Sequence, residues 1–255
     1  MYTIRFIFVV WIGLAVSAQS EKPLPLDQGV TMFHEGYSEW NAEKMESART
    51  LFSRVADRSP GVYEPFYWRG VAEFFLVLYY GEPESGVEDR EAEEVLRKAA
   101  QQTLKAAIAI NPQDAECRAM LSVLYGRRIA AHPWMAVWLG SELGSLQTAA
   151  LKNGPDDPRV QYLAGAGCHR APKPFGNGQK AVEHLRKAGQ LFENEQALPP
   201  AGRAPRWGFS ECFTLLGSLA AEEGDTASAR RCYQAALRHN SCYKPAREKL
   251  EAMGE

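Results

Sequence analysis

The chain has 255 residues, of which 45% are hydrophobic, 24% charged and 11% aromatic. Those proportions exclude a disordered tail or a collagen-like fibre and allow a sizeable core. Lys and Arg total 29 against 31 Asp and Glu, and a net charge of -2 offers no basic field for nucleic acid.

The first stretch reads as a targeting segment. Arg5 is the only charge before Glu21, Phe6 to Val16 is apolar apart from Gly13, and Val16-Ser17-Ala18 places small residues where a signal peptidase cuts. An apolar run of about eleven residues is too short to span a bilayer as a helix. Residues 1–18 are therefore expected to be a signal peptide and 19–28 a linker, leaving a periplasmic or secreted protein with 28 basic and 31 acidic residues. No cysteine precedes Cys117, which excludes a lipid-modified N-terminal cysteine. No later stretch reaches the length of a membrane span, so the protein is not expected to be membrane-embedded.

Beyond residue 28 the pattern is helical almost throughout. Apolar residues recur at three and four, as in Ala48, Leu51, Phe52 and Val55, and in Ala181, Leu185, Ala188 and Leu191. Pro- and Gly-bearing stretches at 79–91, 130–134, 170–178 and 194–208 read as loops. Near the C-terminus, Leu216-Gly217 lies in one helix, Gly224-Asp225 makes a turn, and Ala229, Tyr233 and Ala236 line one face of a second. Gly217 and Ala229 are small where the two helices cross, and Tyr233 fills the space beyond.

This helix–turn–helix unit resembles the tetratricopeptide repeat. Ser241 departs from it, standing where that family usually has proline. Weaker copies carry Gly36, Ala48, Phe52 and Pro60; Trp68, Ala72, Ala100, Leu104, Ala107 and Pro112; Leu121, Ser122, Tyr125 and Pro155; and Gly165, Ala181, Leu185 and Ala188. The resemblance implies an all-α, right-handed α-solenoid of about five units at 29–62, 63–112, 113–156, 157–193 and 209–241. A polar capping helix at 243–253 then closes the apolar end. The period is longer than the family's, with 52 residues from Pro60 to Pro112 and 43 from Pro112 to Pro155.

The resemblance also implies that the first helices of the units line a concave groove for a protein or peptide segment. Its groove-facing offsets fall on Phe33, Tyr37, Trp40 and Asn41, on Arg69 and Glu73, and on Glu116 and Arg127. They continue with Arg159, Tyr162, His169 and Arg170, and end with Glu211, Thr214 and Glu222. Arg127, Arg159 and Arg170 with Tyr162 would grip a carboxylate or an acidic segment. Alternatively, they pair with Glu73, Glu116 or Glu211 within the chain, and Tyr37 and Trp40 pack rather than bind.

No catalytic constellation emerges. Cys168 and His169 are adjacent, so on a helix they diverge by about 100°. His34, His132, His184 and His239 show no metal-ligand spacing, and the glycines of 165–178 lack a phosphate-loop pattern. No cofactor or metal is expected. The stretch 170–178 reads as a turn stiffened by Pro172 and Pro174 with Phe175 tucked onto the helices. Of the five cysteines, Cys212 and Cys242 are the pair that stacking brings nearest, either as a disulfide or as free thiols. The expectation is a non-enzymatic, exported repeat scaffold, the alternative being a ligand-handling accessory of envelope transport that takes a small acidic molecule.

Overall fold

The computed structural model describes residues 25–81, 88–171, 176–199 and 202–254. The signal-like segment 1–18 lies outside them, as do Pro172, Pro174 and Phe175. Among the described residues there are eleven α-helices and no strand. They are α1 (Pro25–Glu39), α2 (Ala42–Arg58), α3 (Tyr63–Gly81), α4 (Arg90–Ile110), α5 (Ala115–Ala131), α6 (Ala136–Asn153), α7 (Pro158–Arg170), α8 (Gly178–Gln196), α9 (Phe209–Glu222), α10 (Thr226–His239) and α11 (Lys244–Glu251). Helix α1 starts inside the 19–28 stretch assigned to a linker, because Leu26, Gly29 and Val30 turn one buried stripe inward from its first turn. No described helix is long and apolar enough to cross a membrane.

Helices pair in sequence as α1/α2, α3/α4, α5/α6, α7/α8 and α9/α10, and α11 covers the end. This is an all-α helical repeat. Short polar side chains start the helices. Asn41, Asp89, Asp114, Asp157, Asn177 and Asp225 each accept a first-turn backbone N–H, satisfying donors that a helix start leaves unpaired. Two hairpins close on glycine. A Cβ on Gly217 would lie 2.5 Å from Tyr233 Cε1 and 3.1 Å from the Ala229 carbonyl, and one on Gly165 would lie 2.7 Å from Leu185 Cγ. Trp40 sits between α1 and α2 at φ 52, a left-handed conformation that disfavours a side chain by about 1–2 kcal/mol. Its ring packs 5.8 Å from Tyr79, and Asn41 caps the next helix beside it.

The interior divides into two apolar clusters. One gathers Phe33, Phe52, Trp68 and Phe75 with the inner faces of α4 and α5; the other gathers Leu185, Phe192, Phe209 and Phe213 with Ala236 and Ala246. Trp207, from the segment between α8 and α9, belongs to the first cluster and is fully buried. Most of its described residues are exposed, but its C-terminal end turns inward and ties the first unit to the last. Tyr37 Oη donates to Glu211 Oε2 at 2.6 Å and accepts from the Gly208 N–H at 3.1 Å. Asn240 Nδ2 donates to the Ser38 carbonyl at 3.1 Å, and Arg203 reaches Asp27 at 2.6 Å and also Glu64. The array is therefore closed on itself.

Helix α6 is the exception to this packing. Of its 18 residues only Ala150 is buried, and it begins from a 3-10 turn (Pro133–Met135) without a side-chain cap.

Replacing Gly217 by Val is expected to destabilise the fold by about 2–3 kcal/mol, since the rigid Ala229 carbonyl cannot yield to the new side chain. For a chain of this size that lowers the melting temperature by about 4–8 °C or more. Thermal unfolding followed by circular dichroism checks it.

Candidate functional site

Because α3, α5 and α7 begin at the same end of the stack, their first turns converge. The capping carboxylates Asp114 and Asp157 face the same space as Tyr63 and Tyr67, one turn apart on α3. With Glu116 and with Arg203 from the inserted segment, these residues line an open cavity of about 270 Å³. Tyr63 donates to Asp114 Oδ2 at 2.7 Å, and Tyr67 donates to Glu116 Oε2 at 2.5 Å.

Burial shifts the titration of the tyrosines and of Glu116 upward. The Tyr63 and Tyr67 phenols are held well above their ordinary range, first by desolvation and then by Cys117 and Asp114 at Tyr63 and by Glu116 at Tyr67. The Glu116 carboxyl is also raised, by desolvation and by the charges of Asp157 and Asp114, with Arg159 and Tyr67 pulling the other way. Arg203 is held by Asp27 and Glu64, so its charge is committed to the wall. What faces the opening is a set of carboxylate and phenol oxygens. Such a surface accepts hydrogen bonds and favours a cationic, donor-rich head group over an anion.

The arginines expected to line the groove are engaged within the chain. Arg159 is buried, with its guanidinium bidentate to Glu195 at 2.7 and 2.9 Å and donating to the Pro205 carbonyl. It lies 5.6 Å over the Trp207 ring and 5.7 Å over Phe192. Burial opposes its charge, but Glu116 and Glu195 outweigh burial and its pKa ends raised. Arg69 pairs with fully buried Glu73 at 2.8 Å, and Arg127 bonds the Gly81 carbonyl and Glu93, each at 3.2 Å. Tyr37 is consumed in the closure, Phe33 and Thr214 are buried, and Glu211 holds Tyr37. Trp40 packs at the α1–α2 turn rather than in the cavity. Tyr162 and His169 are half-buried on α7 and Arg170 is exposed at its end; none of the three lines the cavity. The structure places Cys212 in the core, its thiol 3.5 Å from the Leu185 carbonyl, and Cys242 on the surface, both as free thiols.

Sequence reasoning passed over Trp207 and Glu195, which hold Arg159, and Arg203, which lines the cavity. The available signal was a lone tryptophan and two arginines in an otherwise Pro- and Ala-rich linker, a composition that docks rather than floats.

His34 stands beside this segment. It packs 5.4 Å from Trp68, and burial, followed by the charges of Arg206 and Arg159, lowers its pKa to about 4.

No family model and no curated protein matches the chain. The fold is similar to that of HusA, a haemophore from Porphyromonas gingivalis. The TM-score is 0.61 at 20% identity, over 77% of this chain and 92% of that one. It is similar also to TTC0263, a thermophilic tetratricopeptide protein of Thermus thermophilus. That likeness has a TM-score of 0.55 at 18% identity, over 89% of this chain and 96% of the other. At these identities the likeness is one of fold: the chain has a tetratricopeptide-like repeat architecture.

Two outcomes test the closed interior. Trp207→Ala is expected to cost about 3–5 kcal/mol, the range for an emptied aromatic site, read as a lower urea midpoint. His34 is neutral in the fold and protonates more readily once unfolded. Its contribution to stability is therefore present above pH 6.5 and is lost as pH falls towards 4. The acid-induced loss of stability should be smaller in His34→Asn than in the native chain, by as much as about 3 kcal/mol, in denaturant titrations across that range.

Proposed function

We propose that the protein is an exported, non-enzymatic repeat scaffold that binds a segment of a partner protein, and that the cavity at the starts of α3, α5 and α7 receives a basic side chain of that segment. The observation that carries this reading is the division of charge on the concave face. Its arginines already hold carboxylates of the same chain, while the remaining opening is walled by Asp114, Glu116 and Asp157 with two tyrosines. A lysine or arginine head group would find acceptors on several sides; an acidic segment would meet like charge. Export rests on the signal-like pattern of residues 1–18.

The fold shared with a haemophore supports a second reading, a ligand-handling accessory of an envelope transport system. A small acidic molecule would have to displace Glu195 from Arg159 or settle elsewhere, which makes this the weaker of the two.

Fluorescence-anisotropy titration with Lys/Arg-rich and Glu-rich peptides separates the readings. Binding is expected for the basic peptides and is expected to weaken about tenfold in Glu116→Gln, the range for a lost charge-assisted hydrogen bond. The Glu116 pKa is raised, so the carboxylate forms only as pH rises; affinity should climb with pH and lose that climb in the variant. Preference for acidic peptides overturns the basic-segment site. Purified protein that hydrolyses a substrate, with no partner captured by crosslinking in its own compartment, overturns the scaffold.

A further inference from the structure

The cavity at the starts of α3, α5 and α7 combines two kinds of lining, the rings of Tyr63, Tyr67 and Trp68 and the carboxyl groups of Asp114, Glu116 and Asp157. Tyr67 and Trp68 are buried. Tyr63, the first residue of α3, is half-buried and so is the most accessible of the three rings. Its centroid lies 5.8 Å from that of Tyr67, with the two planes 38° apart.

Hydrogen bonding decides what this lining can still hold. The backbone N–H groups at the starts of α5 and α7, the usual hold for an anion, are already claimed. Asp114 Oδ1 accepts from Cys117, and Asp157 Oδ1 accepts from Arg159 and Val160. Both phenols have also spent their hydrogens, Tyr63 on Asp114 Oδ2 and Tyr67 on Glu116 Oε2, so each phenol oxygen can only accept from a ligand. Among the described residues, Glu116 Oε1 and Asp157 Oδ2 have no hydrogen-bond partner in the chain, and both stay open to solvent. Arg203, which also lines the cavity, is neutralised by Asp27 and Glu64.

The remaining acceptors therefore belong to different helices and stand beside an aromatic ring. An ammonium presents its three donors from one strongly hydrated nitrogen. A guanidinium spreads five N–H donors over a plane, so it reaches acceptors on separate helices together, and it gives up water more readily. Its flat face also stacks on an aromatic ring.

We infer that the basic side chain taken by this cavity is arginine in preference to lysine, with Tyr63 making the distinction, an assignment that rests on the basic-segment reading above. The guanidinium lies against the Tyr63 ring and donates to Glu116 Oε1 and Asp157 Oδ2. Lysine satisfies the charge but leaves the ring unused.

Anisotropy titrations at physiological salt test it, with labelled Gly/Ser peptides that differ only in carrying arginine, lysine or uncharged citrulline. The arginine peptide is expected to bind about tenfold more tightly than the lysine peptide, and the citrulline peptide more weakly than either. Tyr63→Leu is expected to remove that preference by weakening arginine alone. Tyr63→Phe keeps the ring without the hydroxyl and is expected to retain it. A cooperative thermal melt verifies the fold of each variant; should Tyr63→Leu fail to fold, the native chain and Tyr63→Phe still decide. Equal affinity for arginine and lysine, a preference that survives Tyr63→Leu, or one lost in Tyr63→Phe overturns the assignment and leaves the basic-segment site standing. Binding of neither basic peptide, or citrulline matching arginine, overturns the basic-segment site itself.

Discussion

The joint between α8 and α9 is arranged around one cation that has been taken out of water. The guanidinium of Arg159 lies between the faces of Trp207 and Phe192, grips both oxygens of Glu195 and reaches the Pro205 carbonyl. A charge buried this deeply is tolerated only while its partners stay in place, because removing one leaves an uncompensated ion in a low-dielectric interior. Those partners come from α8 and from the segment joining α8 to α9, so satisfying the arginine obliges the end of that segment to pack against the core. Its position in turn delivers Trp207 to Phe75, Gly208 to Tyr37 and Arg203 to Asp27 and Glu64. One ionic requirement thereby organises the core, the closure of the array and one wall of the cavity.

The cost of that arrangement is visible in where the open surface remains. One opening remains at the end where Asp114 and Asp157 cap their helices. The same carboxylates that start α5 and α7 line the opening, so helix initiation and the polarity of the opening rest on the same side chains. Helix α6 shows the converse. Lacking a cap, it packs on α5 through half-buried Leu143, Leu146 and Leu151 and buried Ala150, and its apolar start is left facing water.

Much of the architecture was legible because the relevant signals are local and steric. Gly217 opposite Ala229 and Tyr233, or Gly165 opposite Ala181 and Leu185, declares two helices crossing closely wherever the pattern occurs, and Gly224 at φ +81 declares the turn between them. The site was less legible, for a physical reason. A groove-facing offset states that Arg159 points inward but not what meets it there, and its partners lie 36 and 46 residues further along the chain. The 194–208 segment, rich in proline and glycine, reads as a spacer by composition; only the side chain of Trp207, with no exposed place to go, marks it as core. The Tyr63–Asp114 and Tyr67–Glu116 pairs were out of reach for the same reason, since each joins neighbouring units through the stacking rather than through sequence proximity.

The bond between Tyr37 and Glu211, 174 residues apart, changes what kind of object the array is. Linear repeat proteins behave as one-dimensional chains of units, in which folding spreads from neighbour to neighbour and modules can be added or deleted. Here the terminal units are also joined, by Tyr37 to Glu211 and by Asn240 to Ser38, so the two ends are coupled directly as well as through the units between them. Inserting or removing a single hairpin would pull those contacts apart, so a change in repeat number here is felt at both ends at once.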